Sequence, residues 1–185
     1  VKHGRFVLSR ALGFITAAKN GLSETELEDI MSLDDDLLQN VFHYYLPPIR
    51  RMPQVILLRI LTDISQYVVK READEISVIN WYHRQFREAA TRMYLQEDRK
   101  NLHSLIADYF MGTWHGKEKE FVYSQHQVQR FKLSNNYGTS DRMVPAQPLV
   151  FQTALEFTNS DKKQTVYNMR RLNNLAYHLA EAERL

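Results

Sequence analysis

Ile76-Ser-Val-Ile-Asn-Trp-Tyr-His-Arg-Gln-Phe-Arg-Glu-Ala-Ala90 changes its periodicity at one residue, His83. Before it, Ile76, Val78, Ile79, Trp81 and Tyr82 are β-branched or aromatic, the side chains that strands favour. After it, Phe86, Ala89, Ala90, Met93 and Tyr94 recur at i, i+3, i+4, i+7 and i+8, one face of a helix. The stretch therefore predicts a short strand that turns into an amphipathic helix at His83. A histidine at such a junction lies where first-turn backbone N–H groups lack partners and the helix dipole is positive. That setting receives anions, phosphate above all.

Upstream, Leu8, Ala11, Leu12 and Ile15 mark a helix over residues 4–19, ended by Asn20-Gly21, with Gly21 suited to the left-handed C′ position. Ser23-Glu-Thr-Glu26 is a capping box that starts a second helix. Asp34 caps a third, with Asp35 and Asp36 in its first turn and Leu37, Leu38, Val41, Phe42, Tyr45 and Leu46 on its apolar face. Pro47-Pro48 stops it. Pro53 suits N1 of a fourth, striped with Leu57, Ile60, Leu61, Ile64, Tyr67 and Val68. Val68-Val69 then pairs with Ile76 to Tyr82 as a hairpin across Lys70-Arg-Glu-Ala-Asp-Glu75. Short helices followed by a two-stranded ribbon make a winged helix.

Downstream, one helix runs from Arg84 to Leu95. A second, from about Asp98 to Trp114, is striped with Leu102, Leu105, Ile106, Tyr109 and Phe110. From His115 to about Lys162 the periodicity collapses, which predicts an irregular insert. From Gln164, the residues Val166, Met169, Leu172, Ala176 and Leu179 resume a helix stripe. Both ends fall inside helices by this reading, which predicts a piece of a larger protein.

Of the 185 residues, 44% are hydrophobic and 25% charged, so a packed core is expected rather than disorder. A net charge of +2 gives no electrostatic case for nucleic acid or anionic membrane. Cysteine is absent, which excludes disulfides and cysteine-containing zinc sites; no His-x-x-x-His pair offers another metal site. The best apolar run, Val55 to Leu61, is far short of a membrane span. A cytoplasmic setting is expected. No Gly-x-x-x-x-Gly-Lys-Ser/Thr loop and no Gly-x-Ser-x-Gly elbow occurs, so the chain is read as non-catalytic and unable to cradle a triphosphate alone.

Tyr82-His-Arg-Gln-Phe-Arg-Glu-Ala-Ala90 resembles the His-x-x-(Phe/Gln)-x-Glu-x-x-Ala signature in the winged-helix domain of NACHT-type signal-transduction ATPases. Asn20-Gly-Leu-Ser-Glu-Thr-Glu-Leu27 resembles the opening of the same domain. Leu46-Pro-Pro-Ile-Arg-Arg-Met-Pro53, Pro145-Ala-Gln-Pro-Leu-Val-Phe151 and Arg170-Arg-Leu-Asn-Asn-Leu-Ala-Tyr-His-Leu179 are similar to the branch that carries both NACHT and WD-repeat domains. The resemblance implies a regulatory module that closes over ADP held by an upstream NACHT domain, His83 reaching the β-phosphate. It implies ADP or ATP bound only through that domain, a parent NTPase, intramolecular contacts to the NACHT and WD-repeat regions, and a homo-oligomer when active. It also makes 163–185 the first helix of a helical connector, after a winged-helix domain over 1–114 and an insert or linker over 115–162. Ala176 stands where the family usually has Pro before Tyr-His-Leu, which predicts an unkinked helix.

Read by their residues alone, these positions have plainer uses. His83 can simply pack or cap. Arg84 and Arg87 lie opposite Phe86 and Ala90 as solvated cations, with Glu88 within i+4 reach of Arg84. Tyr82 and Trp81 suit the core. Arg84, Arg87 and Tyr82 are the candidate supports for His83 at a phosphate. Two other readings stay open: a protein-interaction scaffold with a structural His83, and a DNA-binding winged helix. Against the second, Val55 to Val69 carries Arg59 as its one cation, and the wing has two positive and three negative charges.

Overall fold

The computed structural model describes residues 4–47, 50–115, 117, 119, 123, 125–133, 154–159 and 162–185. The first helix, α1 (Arg5–Ala17), runs through the middle of the core, with Ala11, Phe14 and Ile15 almost wholly buried. Around it stand α2 (Glu24–Leu33), α3 (Asp35–Val41) and α4 (Gln54–Asp63). The capping box forms as its spacing predicts: Ser23 Oγ accepts from Glu26 N–H at 3.1 Å and Glu26 Oε2 accepts from Ser23 N–H at 2.8 Å. Asp34 caps α3 through Leu37 N–H at 3.0 Å and holds Arg10 at 3.1 Å. Pro53 sits at the N-cap of α4 rather than at N1.

The wing is an antiparallel hairpin of β1 (Val68–Ala73) and β2 (Ile76–Trp81). It is longer and tighter than the sequence predicts. Lys70 to Ala73 belong to the strand, and only Asp74 and Glu75 turn, both left-handed with φ of 51° and 66°. That is the two-residue turn whose twist matches the flanking strands, and Asp tolerates its backbone.

Gly21 does not cap α1, which already ends at Ala18. It has φ +87°, and a Cβ there would lie 2.5 Å from the Ile79 carbonyl oxygen. Glycine lets the chain after α1 run against β2, where Leu22 and Ile79 form an antiparallel bridge: Ile79 N–H donates to Leu22 O at 2.7 Å.

After the wing, α5 (Arg84–Ala90) gives way to a π-turn over Thr91–Leu95 and a 3₁₀ turn over Gln96–Asp98, not to one helix reaching Leu95. The wider turn shifts the inward face by one position, so Leu95 is 6% exposed while Met93, expected inside, is 67% exposed. Gly13 of α1 makes the room: a Cβ there would meet Tyr94 O at 3.0 Å. Next comes α6 (Arg99–Met111), with Leu102, Ile106 and Phe110 buried against α1 and α2.

The stretch read as irregular contains α7 (Gln125–Phe131) and a second hairpin, β3 (Ala154–Asn159) with β4 (Lys162–Tyr167). Leu155 and Phe157 alternate with Glu156 and Thr158, a period of two within the stretch read as patternless. Pro145 to Phe151 lie outside the described residues, as does Pro48-Ile49. Gln164 and Val166 are in β4, so the last helix, α8, starts at Met169, capped by Asn168 Oδ1, and runs unbroken through Ala176 to Glu181.

Candidate functional site

Four hydrogen bonds fix the place where β2 becomes α5. Trp81 is buried and its Nε1 donates to Thr16 Oγ1 on α1 at 3.2 Å. Tyr82 N–H donates to Tyr67 O at 2.9 Å, closing the foot of the hairpin. His83 O accepts from Phe86 N–H at 3.1 Å and Arg87 N–H at 3.3 Å, starting the helix.

His83 therefore stands at the N-cap of α5 with an extended backbone, φ −122° and ψ 148°. Its side chain caps nothing and is exposed. The ring packs edge-on to Tyr82 at 4.2 Å between centroids and is tilted to Phe86 at 5.9 Å, with Tyr67 edge-on to Phe86 at 5.2 Å. Among the described residues it has aromatic neighbours and no hydrogen-bond partner. Both imidazole nitrogens stay available to donate or accept beyond this domain.

The expected supports divide. Tyr82 is beside His83, half exposed rather than in the core where its residue type suggested it. Arg84 turns down its own helix to Glu88, Nε to Oε1 at 2.6 Å, with its side chain 90% exposed. That pair is screened and contributes a few tenths of a kcal/mol at most. Arg87 is half-buried and its charge acts on the Tyr177 hydroxyl of α8, whose pKa is raised chiefly by burial. The structure thus gathers Tyr82 and His83, while Arg84 is paired with Glu88.

Two polar clusters had no signature in the sequence. Arg170 of α8 reaches Glu26 of the capping box and Asp74 of the wing turn. His103 of α6 and His178 of α8 meet Nδ1 to Nδ1 at 2.9 Å in the core. In both, the partners lie far apart in the chain, so local spacing carries no trace of them. Among the described residues no group of three metal-binding side chains occurs, and no helix is long and apolar enough to cross a membrane.

Residues 1–102 match the family model of the NWD1-like winged helix-turn-helix domain. The chain belongs to this family. It is a non-catalytic type of domain. The chain is 33% identical to human NACHT domain- and WD repeat-containing protein 1 over 187 residues, 99% of this chain and 11% of the relative. It is 32% identical to human NACHT and WD repeat domain-containing protein 2 over 196 residues, 96% of this chain and 11% of the relative. The mouse form of the second matches equally, at 32%. The chain thus spans about a ninth of the length of these relatives. No solved structure matches it. The helices with an antiparallel hairpin described above are the winged helix of the family, and the NACHT and WD-repeat resemblance read from the motifs holds along nearly the whole chain.

Proposed function

We propose that this winged helix is the regulatory element of a NACHT-type signalling ATPase. It closes over ADP held by the upstream nucleotide-binding domain and ties nucleotide state to opening and to assembly of the open form. The observation that carries the proposal is His83: exposed, held by strand and helix, and with a ring that has no polar partner among the described residues. An imidazole so placed donates an N–H to a phosphate oxygen across an interface, and its loss removes a contact made only in the closed state. Arg84 and Arg87 support His83 by adding positive field, Arg84 from its pair with Glu88.

The test uses a longer protein that restores the nucleotide-binding domain. His83→Ala is expected to purify with less ADP than the parent while keeping the parent's circular dichroism. Equal ADP in both would sink the phosphate contact and leave His83 structural.

The scaffold reading draws on a separate observation. Val55 and Leu58 on α4 and Met169 and Leu172 on α8 expose apolar side chains, the character of surfaces that meet other protein segments. On α8 this suits a connector whose outer face receives the next helical element. The same α4 face bears on nucleic acid, because a groove-reading helix presents cations where this one presents Val55 and Leu58.

A further inference from the structure

α8 reverses the usual amphipathic arrangement. Its buried positions recur every four residues as Arg170, Asn174 and His178, whereas Met169 and Leu172 are 44% and 47% exposed. The apolar stripe read from the sequence lies largely on the outer face. Leu175 packs against the core, but the buried positions of the helix are polar, so its seat depends on their polar bonds being made.

Those bonds concentrate at Arg170. Its Nε and Nη2 donate to the two Glu26 oxygens at 2.9 and 2.7 Å, its Nη1 to Asp74 Oδ2 at 3.1 Å and its Nη2 to the Gly21 carbonyl at 3.0 Å. The guanidinium lies over the Phe110 ring, 5.6 Å from its centroid. Asn173 Nδ2 adds a bond to Asp74 Oδ1 at 2.5 Å. Arg170, Glu26 and Asp74 side chains are each about nine-tenths buried. One cation on α8 thus compensates two buried carboxylates, one at the start of α2 and one at the tip of the wing.

We propose that α8 is a releasable strap and that Arg170 is the charge that locks the wing to α2. With α8 docked, Glu26 and Asp74 share a counter-ion. With α8 lifted, that shared counter-ion is gone, both carboxylates take up water, and the bridge that ties the wing turn to the start of α2 is broken. The hairpin that carries Asp74 at its tip carries His83 just beyond its foot, so release of the strap also loosens the seat of His83. That last consequence rests on the phosphate-contact reading; the strap does not.

Hydrogen exchange on the 185-residue chain tests it, read peptide by peptide for the wing and for α8. In Arg170→Met, amides of residues 70–79 and of α8 are expected to exchange about tenfold faster or more. Adding Asp74→Asn removes one carboxylate, so in the double variant the wing returns toward the parental rate while α8 stays fast. If α8 alone becomes fast in Arg170→Met, or the double variant leaves the wing as fast as the single one, the strap proposal is wrong. Should Arg170→Met fail to fold, Arg170→Lys keeps the charge and loses the fork. It is expected to raise both rates by a smaller factor, and a rise in α8 alone again overturns the proposal. No nucleotide is present in these measurements, so their failure is separate from failure of the ADP test.

Discussion

Gly21 carries a demand that other residues meet only with strain. Its φ of +87° and the closeness of the Ile79 carbonyl both exclude a Cβ. Gly21→Ala is therefore expected to lower stability by about 2 kcal/mol or more, read as a shift in the urea midpoint. The sequence points to this glycine for a different reason, as a helix terminator, because an Asn-Gly pair after an apolar stripe usually is one. Glu26 shows the same division. Its capping role follows from three-residue spacing, while its ion pair with Arg170 joins residues 144 positions apart and leaves no local pattern. His83 was legible at the level of position, since the change of period falls on it. Its open hydrogen-bonding face emerged only once Tyr82, Phe86 and Tyr67 were placed around it.

At the scale of elements, the helices with strong caps and the hairpin were legible from pattern, and the departures share a cause. The π-turn at Thr91–Leu95 answers the close approach of α1 at Gly13, a tertiary fact. On α8 the pattern pointed the wrong way, because the buried positions of its inner face are Arg170, Asn174 and His178, held by charge and hydrogen bonds. That inner face has a pH signature. Burial pushes His103 down to about 4, with Glu181 opposing and Arg99 reinforcing the shift. Burial, then His103, Arg170 and Lys19, push His178 down to about 3. The close Nδ1 pair requires one donor and one acceptor, and burial favours the uncharged form of both rings. In the unfolded chain histidine titrates near 6.5, so from there down to about 4 the unfolded state binds more protons. Stability is therefore full above about 6.5 and falls as the pH drops through that window, by about 1 kcal/mol per pH unit for each histidine. Urea unfolding between about pH 7 and about pH 5 reads the slope, which His178→Asn is expected to reduce by about half. An unchanged slope would mean that other groups set the acid limit.

Across the whole molecule, one core supports two surfaces. Around α1, the helices and wing present His83 on one junction, and α8 seals another flank through Arg170. A winged helix in this family stands within proteins named for NACHT and WD-repeat domains, and this chain corresponds to 11% of their length. In the proposed function a contact from His83 to bound ADP would give the domain a closed state, and the proposed strap, which meets the tip of the wing at Asp74, would give that state a release. The most direct measurement is hydrogen exchange of residues 81–87 in the longer protein, with ADP bound and with nucleotide removed, in the parent and in His83→Ala. The expected result is slower exchange with ADP in the parent and no ADP effect in the variant. Identical exchange with and without ADP in the parent would contradict the account, because the junction would then not sense the nucleotide.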